Sequence, residues 1–283
     1  MRGKAVIVTG ACGGLGRAFA AGLLDAGADV LATDLSTTAL RELVTTLGSG
    51  AAGRIHGRAH DISGLRAPAE LVETTLNMFG RVDGLVNNAA AFHEKSILEE
   101  DGSEMRALMQ VNALGPMALG IEAAREMARA GSGSIVNIVS GAAQGIESMA
   151  TYGASKGALL SATYGWALDL ADYGVRVNAL SPRANTSMAM TTAGARQFTA
   201  DGRTPDRITP AIVYLLSDAS MHVTGVALRF DGQELGLLGL PQIERFARDG
   251  DWWSVEDIVE QLDPLPAPFS APGSMARMLE QSS

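Results

Sequence analysis

The sequence predicts an α/β fold of the doubly wound type, in which helices cover both faces of a seven-stranded parallel sheet. Two observations lead to this expectation. Short runs rich in β-branched and other apolar residues alternate with segments whose apolar residues recur every three or four positions. The strand candidates are also apolar throughout rather than at every second residue, which is typical of strands buried on both faces.

The elements follow in order along the chain. The expected strands are 4–10, 28–34, 53–62, 82–90, 133–141, 175–182 and 223–232, and the expected helices are 15–27, 37–47, 67–79, 103–129, 152–173 and 209–217. The composition does not change before about residue 233. We therefore expect one domain over 1–233 that holds both the cofactor and the substrate sites, at the carboxyl ends of the strands.

The segment 234–283 differs from the rest, because it carries a series of prolines. These are Pro241, Pro264, Pro266, Pro268 and Pro272. A short amphipathic stretch over 252–263 predicts a helix with Ser254 as its N-cap. Three placements of this C-terminal extension stay open: at a subunit interface, over the substrate pocket, or as a loosely held appendage.

Charge and cysteine content exclude several classes of protein. The net charge of -9 and the pI of about 5.0 argue against a nucleic-acid-binding surface, which needs a basic footprint. The single cysteine, Cys12, excludes an intramolecular disulfide, and the four scattered histidines predict no metal site. No run approaches the ~20 apolar residues of a membrane span, so we expect no membrane partner and a reducing, cytoplasmic setting.

A glycine-rich turn joins the first strand to the first helix. Its sequence is TGACGGLG, residues 9–16, with Gly10, Gly14 and Gly16 in the pattern T-G-x-x-x-G-x-G. Glycines at this position let the backbone approach a pyrophosphate at the helix N-terminus, as in Rossmann-type folds. Any tight strand-to-helix turn can use glycine. The pyrophosphate interpretation is favoured because this turn lies between the first strand and the first helix, at the start of the chain. Cys12 in this turn is expected to be a small filling residue whose thiol reacts with thiol reagents.

Asp34 ends the second strand and indicates the cofactor. A carboxylate here accepts hydrogen bonds from an adenosine ribose and repels a 2′-phosphate. The next residues, Leu35, Ser36 and Thr37, offer no basic side chain for such a phosphate. The sequence therefore favours NAD over NADP.

Tyr152 and Lys156 lie four residues apart in TYGASK, so they share one face of a helix. A phenol is a poor base at neutral pH because its pKa is about 10. A neighbouring ammonium stabilises the phenolate, and we expect Lys156 to lower the pKa of Tyr152. Taken singly, either residue is as well explained by a packed aromatic or a solvated lysine.

Several motifs in order give the chain a family resemblance. They are TGACGGLG (9–16), DI (61–62), NNAA (87–90), Asn112 in QVNALG, Ser140 in IVNIVS, Tyr152 and Lys156 in YGASK, and VNALSPR (177–183). With these motifs the chain resembles classical short-chain dehydrogenase/reductases from residue 4 to about 233. Three positions depart from the family pattern: Ala90, Arg183 and Gln233 replace glycines.

The resemblance implies an NAD-dependent oxidoreductase that moves hydride between a secondary alcohol and the nicotinamide. It implies that Tyr152 is the general acid/base, that Lys156 also binds the nicotinamide ribose, and that Ser140 polarises the substrate oxygen. Asn112 would anchor a water that relays protons from Lys156. The resemblance also implies a homotetramer with two-fold interfaces on the helices near 103–129 and 152–173.

Further site residues come from the glycine-rich turn and the resemblance together. The expected cofactor residues are Gly10, Cys12, Gly13, Gly14, Leu15, Gly16, Asp34, Leu35, Asp61, Ile62, Asn88, Ala89, Ala90, Tyr152, Lys156, Pro182, Arg183, Thr186 and Met188. The expected substrate residues are Phe92, Ser140, Ala142, Gln144, Tyr152 and Met188. Two interpretations of Arg183 stay open: it packs outward, or it is a cation near the nicotinamide or substrate. A substrate lid is expected between Pro182 and Thr209.

The substrate stays undetermined at this level. The stretch PRANTSM and the tail are similar to a branch that contains (3R)-hydroxyacyl-CoA dehydrogenase domains and bacterial enzymes of cyclic-alcohol and steroid breakdown. Cyclic, aromatic, steroidal and hydroxyacyl alcohols are therefore all candidates. Two other functions remain as alternatives: an NADPH-dependent carbonyl reductase, and a catalytically silent NAD-sensing binding protein.

Overall fold

The sheet has eight strands, and the computed structural model describes residues 1–186, 202–239 and 253–262. The strand order is β3-β2-β1-β4-β5-β6-β7-β8. The strands are β1 Ala5–Thr9, β2 Asp29–Asp34, β3 Ile55–Ala59, β4 Gly84–Asn87, β5 Gly133–Ile138, β6 Val175–Pro182, β7 Ala227–Phe230 and β8 Leu235–Leu237. The first seven pair in parallel, as the sequence predicts.

The eighth strand was not expected, so the predicted count of seven is one too low. β8 pairs antiparallel with β7, with Phe230 opposite Leu235. Asp231 closes the turn between them, because its Oδ1 accepts hydrogen bonds from the backbone N–H groups of Gln233 at 2.9 Å and Glu234 at 2.8 Å. Gly232 takes a φ of 94°, which a glycine adopts freely. Asp-Gly is a hairpin signal, and the sequence pattern contained it.

The helices cover the sheet as expected, with one interruption. They are α1 Gly14–Asp25, α2 Thr37–Gly48, α3 Ala67–Phe79, α4 Gly102–Met109, α5 Gly115–Ala130, α6 Ala150–Asp169, α7 Thr209–Leu216 and α8 Val255–Leu262. The region predicted as one helix over 103–129 is divided into α4 and α5 by a π-helical turn, Gln110–Leu114. Pro116 lacks an N–H, so the carbonyl of Asn112 cannot make its usual α-helical hydrogen bond.

Each face of the sheet has its own core. Val6 and Val8 of β1 pack with Phe19 of α1 and with Ile212 of α7 on one face. Ile7, between them, packs on the other face among side chains of α3, α5 and α6, such as Leu71, Leu119 and Ala167. Adjacent strand residues thus point to opposite cores, and the sheet is doubly wound as predicted.

The chain divides into two compact units, Met1–Leu238 and Gly239–Ser283. The expected boundary at residue 233 falls in the turn between β7 and β8. In the second unit the structure describes α8, where Ser254 Oγ accepts the N–H of Asp257 at 3.1 Å and Asp257 Oδ2 accepts the N–H of Ser254 at 2.8 Å. This reciprocal pair confirms Ser254 as the N-cap. Within the described residues no helix is both long and apolar enough to cross a membrane.

Candidate active site

Two glycines of the first turn are required by the packing of the chain itself. Gly10 has a φ of 62°, and a Cβ there would lie 2.8 Å from Ala89 Cα. A Cβ on Gly16 would lie 2.1 Å from the carbonyl oxygen of Gly10. The turn therefore closes tightly on itself and on the segment that follows β4.

The other two glycines leave space at the amino end of α1. Gly13 is the N-cap and supplies no side-chain cap to the first helical turn. A Cβ on Gly14 would meet only Pro205 Cγ at 3.6 Å and Thr186 carbons from 3.8 Å, which are ordinary contacts. The first N–H groups of α1 thus face a space without a side-chain acceptor from the N-cap, and such a helix terminus fits a pyrophosphate.

The carboxylate of Asp34 lies beside this turn. Its Oδ2 accepts the backbone N–H of Cys12 at 2.9 Å, and its Oδ1 accepts the N–H of Leu35 at 2.8 Å. Each oxygen keeps a lone pair, so the carboxylate fits a pair of ribose hydroxyls. Burial and the nearby Asp34 raise the pKa of the Cys12 thiol to about 11. The raised pKa disfavours the thiolate, which is the reactive form, and so argues against the expected reactivity of Cys12.

Asn88 and Asp61, both expected at the cofactor, already bond to the chain. The Nδ2 of Asn88 donates to the carbonyl oxygens of Thr9 at 2.9 Å and Gly10 at 3.1 Å, which fixes the glycine-rich turn against β4. The exposed Asp61 accepts the N–H of Ser63 at 2.9 Å and its hydroxyl at 2.6 Å, and these bonds lower the pKa of the carboxyl. A cofactor role for these residues and for Ile62, Ala89 and Ala90 stays a prediction.

Tyr152, Lys156 and Ser140 come together where β5 ends against α6. The ammonium nitrogen of Lys156 is 5.8 Å from the centre of the Tyr152 ring, and it donates to the carbonyl of Ile138 at 2.9 Å. Lys156 is 2% exposed. The Ser140 hydroxyl is near enough to Tyr152 to act on the pKa of its phenol, and Ser140 Oγ accepts the N–H of Ala142 at 3.2 Å.

Burial is the largest influence on the pKa values of this pair. It raises the pKa of Tyr152 to about 12, against the opposing effect of the nearby Ser140 hydroxyl. It lowers the pKa of Lys156 to about 8. The expectation that Lys156 brings the pKa of Tyr152 below its usual value is wrong, because burial of the phenol raises that pKa.

Asn112 lies in the π-helical turn and joins the loop after β4 to α6. Its Oδ1 accepts the N–H of Ala91 at 2.7 Å, and its Nδ2 donates to the Ala91 carbonyl at 2.9 Å. The same Nδ2 donates to Ser155 Oγ at 3.1 Å, and Ser155 Oγ donates to the Tyr152 carbonyl at 2.7 Å. Asn112 is fully buried. The structure places Asn112 beside the first turns of α6, the helix that carries Tyr152. The role of Asn112 in anchoring a water stays a prediction.

A carboxylate that the sequence analysis did not single out also reaches this site. Glu100 Oε2 accepts from the hydroxyl of Thr151 and contacts His93 Nε2 at 3.0 Å. Phe92, next to His93, packs edge-on against Tyr152, with ring centres 4.9 Å apart. Glu100 thus ties the loop that carries Phe92 to the residue before Tyr152. No local sequence pattern predicts these contacts, since His93 lies 7 residues and Thr151 lies 51 residues from Glu100 in the chain.

The expected substrate residues divide into those near Tyr152 and those elsewhere. Phe92 touches Tyr152, Ala142 is buried behind Ser140, and Gln144 is exposed. Met188 and most of the expected lid lie outside the described residues. The structure describes Thr186, and its side chain lies over the glycine-rich turn.

Arg183 follows Pro182 at the end of β6 and does not point into solvent. Its backbone N–H donates to the Phe230 carbonyl at 2.9 Å. Its Nη1 is 3.6 Å from Glu234 Oε2 and 3.9 Å from Asp231 Oδ2, and its side chain is 27% exposed. In the described parts of the chain, no group of three or more His, Cys, Asp or Glu side chains could hold a metal ion.

A glycine-rich turn at a helix N-terminus, opening a doubly wound sheet, is typical of oxidoreductases that bind a dinucleotide cofactor. Within that class the chain belongs to the short-chain dehydrogenase family. The family model described as short chain dehydrogenase matches residues 4–197.

Individual relatives agree with this assignment. An oxidoreductase of Thermotoga maritima is 38% identical over 184 residues, which cover 64% of this chain and 71% of the relative. The hydroxyacyl-CoA dehydrogenase ChsB1 of Mycobacterium tuberculosis is 30% identical and is matched over 93% of this chain and 88% of its own length. The crystal structure of a short chain dehydrogenase from Mycobacterium avium superposes with a TM-score of 0.81 at 26% identity, covering 93% of this chain and 94% of that one.

Proposed function

We propose that the protein is an NAD-dependent dehydrogenase that transfers a hydride between a secondary alcohol and the nicotinamide. The observation that carries the proposal is the cation of Lys156, buried and 5.8 Å from the centre of the Tyr152 ring, with the Ser140 hydroxyl near enough to affect the pKa of Tyr152. A proton donor and acceptor, an oxygen-binding hydroxyl and a fixed cation are what alcohol oxidation needs beside a hydride acceptor.

The cofactor preference rests on Asp34 and the turn above it. The amino end of α1 would hold the pyrophosphate, and the free lone pairs of Asp34 would accept the adenosine ribose hydroxyls. When bound, NAD supplies the hydride acceptor. The negative charge of Asp34 disfavours a 2′-phosphate, so we expect NAD rather than NADP.

The side chains divide the proton chemistry between them. Ser140 Oγ donates to the substrate oxygen and holds it beside Tyr152. The Tyr152 oxygen takes the hydroxyl proton during alcohol oxidation and returns it during ketone reduction. Because burial raises the pKa of Tyr152 to about 12, the phenolate depends on the charged form of Lys156. Asn112 keeps α6 and the loop after β4 together beneath this pair.

The remaining parts of the proposal concern assembly and location. Unit Met1–Leu238 would act as the catalytic domain, on a small alcohol or ketone. Apolar residues of the long helices are exposed, with Ile121 at 44% and Leu168 at 80%, which supports a homotetramer built on α4, α5 and α6. The proposed cytoplasmic location rests on the single cysteine and on the short apolar runs of the sequence.

The test is NADH formation, followed by absorbance, with NAD and NADP offered in parallel. The panel contains cyclic, aromatic and steroidal secondary alcohols and a 3-hydroxyacyl-CoA. We expect turnover of one class with NAD, abolished in Tyr152→Phe, while NADH still binds in calorimetry. Tyr173→Phe is the matched control, because Tyr173 is 55% exposed.

Three results would contradict parts of the proposal. Turnover with NADP alone would show that the interpretation of Asp34 is wrong. Ketone reduction without measurable alcohol oxidation would favour the carbonyl reductase. Tight NADH binding without turnover of any panel member in either direction would favour the silent NAD-sensing protein.

A further inference from the structure

Three arginines surround two carboxylates where β6 and β7 end. Arg203 pairs with Asp231 at 2.8 Å, and Arg183 lies 3.9 Å from Asp231 and 3.6 Å from Glu234. Asp231 is 3% exposed, whereas the Glu234 side chain is 78% exposed. Arg229 of β7 is the third arginine of the cluster.

Arg229 differs from the other two arginines in its partners. Its Nη1 donates to Ser181 Oγ at 3.3 Å, and in the described part of the chain no carboxylate oxygen lies within ion-pair distance of it. Burial lowers the pKa of its guanidinium, and repulsion from Arg183 adds to the shift. Among the described residues, the guanidinium of Arg229 is thus a partly buried cation whose one hydrogen-bond partner is the Ser181 hydroxyl.

The guanidinium of Arg229 lies next to the residue that follows Ser140. Arg229 Nη1 is 2.6 Å from the place where a Cβ on Gly141 would stand, so Gly141 leaves room for the guanidinium. Gly141 follows Ser140 directly. Since consecutive Cα atoms are about 3.8 Å apart, Arg229 Nη1 lies within about 8 Å of the Cα of Ser140.

We propose that Arg229 binds the carboxylate of a hydroxy-acid substrate whose alcohol carbon lies beside Ser140 and Tyr152. This inference rests on the proposed dehydrogenase function and names its substrate class. The planar guanidinium is suited to a carboxylate, with which it forms two parallel hydrogen bonds. The phosphates of a coenzyme A thioester do not fit this position, because the whole pantetheine arm separates them from the alcohol carbon.

Binding of simple probes tests the proposal without a known substrate. Cyclohexanecarboxylate and its neutral isostere cyclohexanecarboxamide are titrated calorimetrically into the NADH-loaded protein. We expect the carboxylate to bind about 10- to 100-fold more tightly, as for a hydrogen-bonded charged group. We expect Arg229→Gln to remove this preference. Arg229→Lys should keep part of it, because the lysine ammonium supplies a positive charge but lacks the two parallel N–H donors of a guanidinium.

Controls separate binding from folding. Arg58→Gln, on the exposed surface of β3, should leave the preference of carboxylate over carboxamide unchanged. Thermal melting and NADH affinity show whether each variant is folded. Should Arg229→Gln not fold, the wild-type comparison and Arg229→Lys still decide the matter. Equal binding of acid and amide by the wild type, or an unchanged preference in a folded Arg229→Gln variant, would overturn the proposal.

Turnover distinguishes this proposal from the dehydrogenase proposal. The panel is 3- and 4-hydroxycyclohexanecarboxylate, their methyl esters, and 3-hydroxyacyl-CoA. Oxidation of the free acids at a lower KM than the esters supports Arg229. Equal oxidation of acid and ester, or faster oxidation of the thioester, leaves the dehydrogenase standing and overturns the role of Arg229. Arg229-dependent carboxylate binding without any oxidation supports the anion site and contradicts the dehydrogenase.

Discussion

The carboxylate of Asp34 accepts the backbone N–H of Cys12, with 2.9 Å between Oδ2 and nitrogen. This hydrogen bond joins the end of β2 to the glycine-rich turn, so one side chain both shapes the turn and faces the proposed adenosine site. The two roles can be separated, because Asp34→Asn keeps an acceptor for Cys12 but removes the charge.

We expect Asp34→Asn to weaken NADH binding and strengthen NADPH binding, so that the ratio of the two affinities changes about tenfold, as for one charge-assisted contact. Asp34→Ala should also lower the melting temperature, because it leaves the Cys12 N–H without its acceptor. Fluorescence titration with both cofactors measures the ratio. Asp25→Asn, at the exposed end of α1, changes the net charge equally and should change neither affinity. An unchanged ratio in Asp34→Asn would contradict the NAD assignment.

Gly14 and Gly16 are expected to respond oppositely to the same added methyl group. In Gly16→Ala the Cβ would stand 2.1 Å from the Gly10 carbonyl oxygen, so the turn must rearrange and stability falls. In Gly14→Ala the nearest protein atom is 3.6 Å away, so the fold persists while the methyl group fills the proposed pyrophosphate space. Melting curves and NADH titrations measure the two effects. A Gly14→Ala variant with full NADH affinity would show that the pyrophosphate lies elsewhere.

The fold was predictable because its signals are local. The apolar run before Gly10 and the helical pattern after it indicated a strand, a turn and a helix without reference to distant residues. Parallel strands then place their carboxyl ends at one edge, so the cofactor and substrate sites were expected at that edge.

The parts that were missed depend on single local details or on distant partners. The π-helical turn at Gln110–Leu114 depends on one missing N–H at Pro116 inside an otherwise regular helical pattern. β8 is three residues long, too short for a periodic pattern to show. The contact of Glu100 with Thr151 joins side chains 51 residues apart, and no sequence spacing encodes it.

Lys156→Met is expected to raise stability while it removes activity. Burial lowers the pKa of Lys156 to about 8 from 10.5, so below pH 8 the folded chain bears the full cost of a buried charge. As pH rises from 8 to 10.5 the unfolded chain holds more protons than the folded one, and the free energy of unfolding of the wild type increases. The variant removes this cost at neutral pH. For a domain of about this length, each kcal/mol added to the free energy of unfolding raises the melting temperature by about 2–4 °C.

The measurement is a pair of melting curves at pH 7 and pH 10. We expect the variant to melt several degrees above the wild type at pH 7, and the difference to shrink at pH 10. Alcohol oxidation should fall at least about 100-fold, as for loss of a group that supports general-base catalysis. A variant that melts below the wild type at pH 7 would mean that the hydrogen bond to the Ile138 carbonyl outweighs the desolvation cost.

Glu100 is expected to act as a positioning residue for Tyr152. Its Oε2 bonds to Thr151, the neighbour of Tyr152, and to His93, the neighbour of Phe92, whose ring packs on Tyr152. The Thr151 hydrogen bond, more than any other interaction, lowers the pKa of this carboxyl. The Glu100 carboxylate therefore contributes its full stabilisation at any pH above the pKa that it has in the unfolded chain. That stabilisation is lost as the pH falls through the lower pKa that the carboxyl has in the folded chain.

Glu100→Ala should reduce kcat about tenfold with little change in cofactor affinity, because small displacements of a reacting group are costly. Glu100→Gln keeps an acceptor of the same shape and should recover most of the loss. Glu104→Ala is the matched control, since Glu104 lies on neighbouring α4, pairs with Lys95 and has a half-exposed side chain. If Glu100→Ala and Glu104→Ala have the same kcat and the same pH profile above pH 5, the Glu100 contact serves stability alone and does not position Tyr152.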